Sequence, residues 1–299
     1  MIIMENKNCS FEKFPAPVFG DASTGTMFDA YVWMQNGRYR MDVSWRPKHA
    51  LAVTFSDDGI HWEEPQITLD LTDATDWEND LNRNCVLPDP FGDGYLMYYT
   101  GQWWDQTGGY SKIGLARSSD GIHFERVQRE PIMVPEMDFE GESVMNPFVM
   151  YENGRFRMWY AAGETYEPNV ICYAESVDGI HWEKYAGNPI FCGNPEKEYE
   201  QERIGACHVL PEEGGYLMFY IGYRDINTAC ICAARSKDGI TNWTRVPENP
   251  LVMPTPDTWD QHSCYKPTVV LEDGIYHLWY NGRSGGAEYI GYAYGPLSK

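Results

Sequence analysis

A short phrase that recurs four times constrains the fold of this chain more than any other feature. It begins Ser-x-Asp-Gly-Ile and ends on an aromatic residue, and its glycines, at positions 59, 121, 179 and 239, are 62, 58 and 60 residues apart. A fixed period of this length is typical of one supersecondary unit used several times in a stack or a ring. An Asp-Gly pair between alternating apolar and polar residues also indicates a β-hairpin. The sequence therefore predicts an all-β repeat fold.

Each repeat unit contains four strand-like segments. In the third unit, residues 147–151, 155–160 and 169–174 precede the hairpin phrase and residues 181–185 follow it. The second segments of the five units share one pattern, which reads Met41-Asp42-Val43, Met97-Tyr98-Tyr99, Met158-Trp159-Tyr160, Met218-Phe219-Tyr220 and Leu278-Trp279-Tyr280. Five units of four antiparallel strands predict a five-bladed β-propeller, with most of the aromatic residues packed between blades.

The fifth unit lacks a fourth strand, and the missing segment stands at the other end of the chain. Residues 10–19 match residues 181–190 in residue type and order. We therefore predict that residues 10–19 add to the last blade as its outer strand and close the ring, which leaves no open sheet edge between first and last blades. A simple linker is the alternative for this segment. Because the repeat occupies the whole chain, residues 1–299 are expected to form a single domain.

Composition narrows the class of partner. The 299 residues carry 44 acidic and 23 basic side chains, a net charge of −21. This balance argues against nucleic acid and anionic membranes, because both need a basic surface. No segment approaches the roughly 18 apolar residues of a membrane-spanning helix, and no signal-peptide core follows the first four residues. A cytoplasmic protein with free thiols is expected. The eight cysteines show no metal spacing, and no cofactor is predicted.

The first strand of each propeller blade lines a central channel that opens as a funnel. Aligning the units on their second strands places five residues at one level and five more at a level four residues earlier. The first level contains Asp29, Asn84, Asn146, Ala206 and Lys266, and the second contains Gly25, Asp80, Glu142, Glu202 and His262. Carboxylates that converge in a mere scaffold would repel one another. Their alignment therefore indicates a functional site.

Cations and aromatic residues surround these two levels in the sequence. The loops after the second strands contribute Arg46, Trp103, Trp104, Glu164, Tyr166, Arg224 and Arg283, and Arg83, Arg203 and His208 stand beside the two levels. Charge balance and bridging between blades are the structural alternative for the arginines. Paired carboxylates are what glycosidic bond cleavage needs, because one protonates the leaving oxygen and the other activates water or attacks the anomeric carbon. The expected partner is a small carbohydrate; the sequence does not indicate an oligomeric state.

The five four-stranded units, the early Asp29 and the Ser-x-Asp-Gly-x-x-Trp hairpins resemble the five-bladed propeller glycosidases. This superfamily includes glycoside hydrolase families 43 (arabinanases and xylosidases), 32 (fructosidases) and 130 (mannoside phosphorylases), and the pattern is closest to family 43. Its members place a carboxylate base or nucleophile on the first blade, a modulating Asp on the third and a Glu acid on a later blade. In this chain Asn146 occupies the position of the modulating Asp, and Ala206 occupies that of the acid.

The resemblance implies a glycoside hydrolase that acts on a terminal or short-chain glycoside. Asp29 would be the base or nucleophile, Glu202 the general acid, and Glu142 would tune or replace it. The residues assigned to substrate binding are Arg46, Asp80, Arg83, Asn84, Trp103, Asn146, Glu164, His208, Arg224, His262, Lys266 and Arg283. Two alternatives stay open. One is phosphorolysis, with inorganic phosphate held by the Arg, His and Lys side chains, which could also bind an acidic sugar. The other is a sugar-binding propeller without catalysis.

Overall fold

The structure, a computed structural model, describes residues 11–164 and 168–298. Ser10, the first residue of the predicted closing strand, and Tyr166 lie outside the described residues. The strands in chain order are β1 (Glu12–Lys13), β2 (Met27–Gln35), β3 (Arg38–Trp45), β4 (Ala50–Ser56), β5 (Gln66–Leu69), β6 (Asp80–Pro88), β7 (Tyr95–Trp104), β8 (Gly109–Ser118), β9 (Glu125–Arg126), β10 (Ser143–Glu152), β11 (Arg155–Gly163), β12 (Pro168–Ser176), β13 (Glu183–Lys184), β14 (Phe191–Cys192), β15 (Arg203–Glu212), β16 (Gly215–Asp225), β17 (Thr228–Ser236), β18 (Thr244–Arg245), β19 (Ser263–Glu272), β20 (Ile275–Ser284) and β21 (Ala287–Gly295). Three short 3-10 helices span Arg46–Lys48, Asp138–Glu140 and Glu198–Glu200.

The strands pair in antiparallel sets that repeat one order along the chain. The first set is β2-β3-β4-β5, and the second is β6-β7-β8-β9. The third is β10-β11-β12-β13, and the fourth is β15-β16-β17-β18. The fifth contains β19, β20 and β21, and its outer position is taken by β1. The predicted all-β class is therefore correct.

The first strands of these sets contact one another in cyclic order. β2 contacts β6, β6 contacts β10, β10 contacts β15, β15 contacts β19, and β19 contacts β2. A hydrogen bond of 2.8 Å from the backbone N–H of Val32 to Oγ1 of Thr268 joins the first set to the last. The starts of five strands that are far apart in sequence are thereby brought to one face of the molecule.

The N-terminal segment follows the same outer-strand path as its counterpart in the third set. Glu12 and Lys13 pair with β21, and Phe19 forms a further bridge to that strand. In the third set, Lys184 of β13 and Phe191 of β14 both pair with β12. The similarity between residues 10–19 and 181–190 thus corresponds to a shared structural position in the residues described.

The recurring Asp-Gly phrase forms a tight turn that its own side chains hold. Ser56 Oγ accepts the backbone N–H of Gly59 at 2.9 Å, and Asp58 Oδ1 accepts that of His61 at 2.8 Å. Bonds from the side chain and backbone of His61 lower the pKa of Asp58. Gly59 has φ of 74°, and a Cβ there would lie 2.7 Å from the ring of Trp279, so both backbone and space require glycine.

These turns also attach each set to its neighbour. Aromatic side chains of the second strands donate hydrogen bonds to the carbonyl of the turn glycine in the following set. These bonds join Tyr98 to Gly179 at 3.0 Å, Trp159 to Gly239 at 2.7 Å and Trp279 to Gly59 at 2.8 Å. The prediction that the aromatic strands pack between units is confirmed, since Trp159 and Trp279 are fully buried.

Four buried carboxylates precede the first strands of the second to fifth sets. Each has a cation from the outer strand of its set and a tyrosine from the second strand as neighbours. We call them the anchor carboxylates: Glu78 with Arg126 at 2.6 Å, Glu140 with Lys184 at 2.7 Å, Glu200 with Arg245, and Asp260 with Lys13 at 2.5 Å. They tie the outer strands to the rest of each set.

Cysteine residues occupy interior positions in most sets. Cys85, Cys207 and Cys264 are buried, as predicted for small apolar side chains, and all three are free thiols. The sulfur atoms of Cys230 and Cys232 lie 3.8 Å apart without forming a disulfide. In the part of the chain that the structure describes, no helix has the length and apolar character needed to cross a membrane.

Candidate functional site

A β-bulge interrupts each of the five first strands close to its start, where the pairing with the second strand shifts register. One residue at each bulge has a positive φ, which is uncommon for residues other than glycine and is often found at functional sites. These residues are Asp29 at 57°, Arg83 at 54°, Asn146 at 54°, Ala206 at 24° and Lys266 at 50°. The bulges therefore define one equivalent position around the centre.

The predicted levels are wrong by one residue in the second set. Arg83, not Asn84, has the positive φ of the bulge, and Asn79, not Asp80, lies four residues before it, as the corresponding residues do in the other sets. The reason is that Met97 follows Arg83 by 14 residues, whereas the equivalent second-strand residue follows the bulge by 12 residues in the other sets. The equivalent backbone N–H groups donate to the second strand: Asn79 to Gln102 at 2.7 Å, Glu142 to Gly163 at 3.2 Å, Glu202 to Tyr223 at 3.0 Å and His262 to Arg283 at 3.0 Å.

Side chains from the preceding set hold three of the bulges in place. In each case a polar residue of the second strand accepts the backbone N–H of the bulge residue. The bonds run from Asp29 to Asn281 Oδ1 at 2.9 Å, from Arg83 to Ser44 Oγ at 3.1 Å and from Asn146 to Thr100 Oγ1 at 3.0 Å. Ala161 and Ile221 stand at the corresponding positions of the remaining sets and have no polar group to offer.

Asp29 is buried at the centre of this arrangement, with 2% of its surface exposed. Its Oδ1 accepts a hydrogen bond of 3.2 Å from Nδ2 of Asn281, and its Oδ2 lies 3.5 Å from Nε of Arg83. Oδ2 is buried and accepts no hydrogen bond from the residues described. Buried polar atoms are nearly always hydrogen-bonded, so an unfilled carboxylate oxygen marks a place where a ligand or water binds.

Lys266 is buried and Arg83 is partly buried near Asp29, and two buried amides, Asn84 and Asn146, stand at the bulges of the second and third sets. Burial lowers the pKa of Lys266, and the negative charge of Asp29 opposes this effect. Nη1 of Arg83 is buried and has no partner among the described residues. The same holds for both polar atoms of the Asn84 side chain and for Oδ1 of Asn146. A set of unfilled donors and acceptors of this kind is suited to a polar ligand with several hydroxyl or anionic oxygens.

A carboxyl group that the sequence analysis did not consider lies in the same cluster. Glu288 of β21 is paired in register with Arg283 of β20. Burial raises the pKa of Glu288, and the negative charge of Asp29 adds to this effect. The positive charge of Arg46 and a hydrogen bond from Tyr265 oppose it. Its Oε2 is buried without a hydrogen-bond partner in the described residues. Third strands were not expected to reach the centre, so no pattern in the sequence pointed to this residue.

The predicted acids Glu142 and Glu202 lie on an exposed rim. Arg203 donates to Glu202 at 3.1 Å and to Glu164 at 3.0 Å, and 45% of the Glu202 side chain is exposed. Glu202, Arg203 and Asn169 line a cavity of about 370 Å³. In the described residues, neither Glu142 nor Glu202 is among the side chains that contact Asp29.

His208 belongs to the core and not to the ligand-facing surface. It is 5% exposed, and its ring centroid lies 4.6 Å from that of Phe148. Its Nδ1 is 3.3 Å from Oγ1 of Thr268. Burial lowers the pKa of His208 to about 3, and the nearby charge of Lys266 acts in the same direction. The imidazole is therefore neutral near neutral pH, and its position does not support the predicted role in binding substrate.

The remaining predicted binding residues are distributed around the loops of this face. Trp103 is partly buried opposite Tyr110 in the β7–β8 pair. The others contact neighbouring loop residues: Arg46 lies over the Phe28 ring at 4.4 Å, Asp80 is 3.4 Å from His49, Arg224 is 3.2 Å from Asp225, His262 accepts the N–H of Gly285 at 2.9 Å, and Arg283 donates to Ser263 at 3.1 Å. Among residues 11–164 and 168–298, no group of three His, Cys, Asp or Glu side chains could hold a metal ion.

Comparison with known proteins gives the family. The profile of the BNR repeat-like domain matches residues 42–285. The chain belongs to the BNR repeat-like domain family. An uncharacterized protein of Mycobacterium tuberculosis (strain ATCC 25618 / H37Rv) is 31% identical over 217 residues, which are 68% of this chain and 67% of that protein. The 1,2-beta-oligomannan phosphorylase of Thermoanaerobacter sp. (strain X514) is 28% identical over 176 residues, which are 56% of this chain and 53% of that enzyme.

Solved structures share the fold at low sequence identity. A thermostable family-43 glycoside hydrolase superposes with a TM-score of 0.69 at 18% identity, covering 89% of this chain and 88% of that one. The beta-1,2-mannobiose phosphorylase of Listeria innocua, in complex with beta-1,2-mannobiose, gives 0.65 at 15% identity, with 97% and 92% covered. These similarities confirm the predicted resemblance in fold to the β-propeller glycosidases and phosphorylases of families 43, 32 and 130.

Proposed function

We propose that this chain is an enzyme that hydrolyses a terminal or short-chain glycoside at the centre of its bulged strands. The observation that carries the proposal is the carboxyl group of Asp29, which is buried and has one unfilled oxygen. Arg83 and Lys266 stabilise its negative charge. A carboxylate in this setting can act as base or nucleophile toward an anomeric carbon.

The proposed architecture is a five-bladed propeller in which residues 1–299 form one domain and residues 10–19 complete the last blade. Three observations support it: the five antiparallel sets, the cyclic contacts of the first strands, and the pairing of β1 with β21. In such a ring the bulges line one funnel. This geometry explains how residues as distant in sequence as Asp29 and Lys266 act on the same ligand.

We assign the rim carboxylates to substrate binding. The sequence predicts Glu202 as the general acid with Glu142 as its helper. The exposed side chain of Glu202, fixed by Arg203 beside Glu164, is better suited to accept hydrogen bonds from sugar hydroxyls. A general acid near neutral pH needs an environment that keeps its proton, and such an environment is more enclosed.

Phosphorolysis is the second candidate, and the charge of the cluster favours it. Lys266 and Arg83 lie beside Asp29, and Arg46 and Arg283 lie near Glu288, in a chain with a net charge of −21. Cations in this number suit an inorganic phosphate acceptor. Two relatives, at 28% and 31% identity, are a 1,2-beta-oligomannan phosphorylase and a beta-1,2-mannobiose phosphorylase.

The test is a panel of aryl glycosides and short oligosaccharides, incubated with the protein in the presence and absence of inorganic phosphate. Hydrolysis predicts release of free sugar that does not depend on phosphate. Formation of a sugar 1-phosphate only when phosphate is present would instead establish the second candidate. Saturable sugar binding with no cleavage in either arm would overturn both and leave a sugar-binding propeller. Glu213→Gln, an exposed turn residue outside the cluster, is the charge-matched control for variants of Asp29.

A further inference from the structure

We propose that Glu288 is the catalytic proton donor to the leaving-group oxygen, in partnership with Asp29. This inference rests on the proposed function, and it names a residue on the third strand of the last set. Asp29 and Glu288 are the two carboxyl groups that share one electrostatic neighbourhood at the centre, with Arg46 and Arg283 beside them.

The fold directs Glu288 toward Asp29. Side chains two residues apart in a strand point to the same face of the sheet. Ile290, two residues after Glu288, is fully buried in a cluster with Met27 and Ala30 of β2. Glu288 therefore faces the strand that carries Asp29.

The neighbouring strand fixes the position of Asp29 relative to Glu288. Asn281 of β20 holds Asp29 by two hydrogen bonds, of 2.9 Å and 3.2 Å. β20 and β21 pair along their length, from Tyr276 opposite Gly295 to Ser284 opposite Ala287. The hairpin that holds Asp29 through Asn281 therefore also carries Glu288. Preorganisation of this kind is what catalytic groups require.

The two carboxyl groups differ in the way that acid and base roles require. Asp29 lies 3.5 Å from the Arg83 guanidinium and near the Lys266 ammonium, so two cations face its carboxylate. Glu288 forms no ion pair within 4.0 Å among the residues described, and its Oε2 is enclosed without a partner. A carboxyl group that is enclosed and unpaired favours its protonated form. Two titratable groups with such different surroundings are a recognised basis for assigning acid and base.

The proposed step is hydrolysis with Glu288 as acid and Asp29 as base. The bond between the anomeric carbon and the leaving oxygen breaks, its electron pair stays on that oxygen, and the oxygen takes the proton of Glu288. Water forms the new bond to the anomeric carbon, and its proton passes to Asp29. Glu288 then regains a proton and Asp29 releases one to solvent. Arg46 and Arg283 would stabilise the Glu288 carboxylate after it has given up its proton and before it regains one.

The test compares Glu288→Gln with the wild type on aryl glycosides whose leaving groups differ in acidity. We expect kcat/KM for the least acidic leaving groups to fall by about 10² to 10⁴. The most activated glycoside should lose less than about tenfold, because its departure needs little protonation. The alkaline limb of the pH–rate profile should disappear, since loss of the acid's proton causes it. Glu202→Gln is run beside it, and Glu213→Gln serves as the charge-matched control.

The outcomes separate this inference from the proposed function. If the wild type cleaves no glycoside with or without phosphate, the proposed function and the role of Glu288 are both wrong. If the wild type is active but Glu288→Gln keeps the wild-type dependence on the leaving group, the role of Glu288 is wrong and the proposed function stands. The same conclusion follows if Glu202→Gln shows the selective loss instead. Should Glu288→Gln fail to fold, Glu288→Asp, which retains a carboxyl group, must lower kcat and preserve the alkaline limb.

Discussion

The anchor carboxylates and the pair at the centre are all enclosed by the same repeated strands, yet their surroundings differ. Glu140, for example, lies 2.7 Å from the Lys184 ammonium, whereas the nearest cation to Asp29 is 3.5 Å away. An unfilled oxygen alone does not separate the groups, because Oε2 of the anchor residue Glu78 is also without a hydrogen-bond partner. A close ion pair with a cation is what separates the two groups. Carboxylates in a close ion pair stabilise the fold, and those whose cation is more distant remain available for chemistry.

The largest effect expected from this comparison is on activity. Asp29→Asn should lower kcat/KM by about a thousandfold or more, equivalent to about 4 kcal/mol of transition-state stabilisation, because it removes the charged oxygen at the centre. Its melting temperature should stay close to that of the wild type, as measured by calorimetry, since Asn can keep the bonds to Asn281. A variant that loses stability as severely as activity would place Asp29 among the structural carboxylates.

The corresponding substitution of an anchor carboxylate should lower stability without changing catalysis. Glu140→Gln leaves the buried ammonium of Lys184 with the exposed carboxylate of Glu136, 3.1 Å away, as its remaining charged partner, so the free energy of unfolding should fall by about 3 to 4 kcal/mol. Urea denaturation measures this loss, and kcat of the folded fraction should be unchanged. The double variant with Lys184→Met should recover much of it. Failure to recover would mean that the pair is not the source of the stability.

A smaller loss of stability is expected where the last set takes its outer strand from the N-terminal segment. Lys13→Met removes the cation that lies 2.5 Å from Asp260, and the Lys13 side chain is 19% exposed. We expect about 2 to 3 kcal/mol of destabilisation, less than for Glu140→Gln because water reaches this pair more easily. A loss close to zero would argue that β1 contributes little to the fold.

The smallest effect concerns the pH dependence of stability and has opposite signs for Glu140 and Glu288. Burial opposes ionisation of Glu140, but hydrogen bonds from Lys184 and the backbone lower its pKa on balance. Its contribution is therefore present above the unfolded pKa and is lost as the pH falls. Burial raises the pKa of Glu288, so its contribution is lost as the pH rises.

Glu288→Gln should therefore keep or slightly raise the melting temperature at neutral pH, whereas Glu140→Gln should lower it. Melting curves of both variants across the acidic and neutral range provide the measurement. A clear fall in the neutral-pH melting temperature of Glu288→Gln would contradict the assigned environment of that carboxyl group.

The sequence predicts the strands better than it predicts the site. The repeat period and the Asp-Gly turns indicated the order of the strands and the outer position of residues 12 and 13, because both are local patterns that recur. The position of Arg83 could not be predicted from the alignment of the second strands, since the path from a paired residue of β6 to its partner in β7 is two residues longer than the equivalent path in the other sets. Glu288 was missed because strand periodicity gives the face of a residue but not which neighbouring strand that face meets.

The anchor carboxylates did leave a signal that went unused. Each lies 20 or 21 residues before the tyrosine of the recurring second-strand pattern. Glu142 and Glu202, which lie nearer the first strands and are the acids that the sequence predicts for the site, are exposed. Each anchor carboxylate lies before the first strand of its set and meets a cation of the outer strand and a tyrosine of the second strand, so its partners become evident only when the strand pairing is known.

The pairing of β1 with β21 also sets the order in which the molecule can be completed during synthesis. β1 is synthesised before its partner β21, so Phe11, which is 4% exposed in the finished structure, cannot pack against the fourth and fifth sets until those strands exist. Contacts between segments so far apart in sequence form slowly. The nascent chain therefore leaves Phe11 without its packing partners until the fourth and fifth sets have been translated.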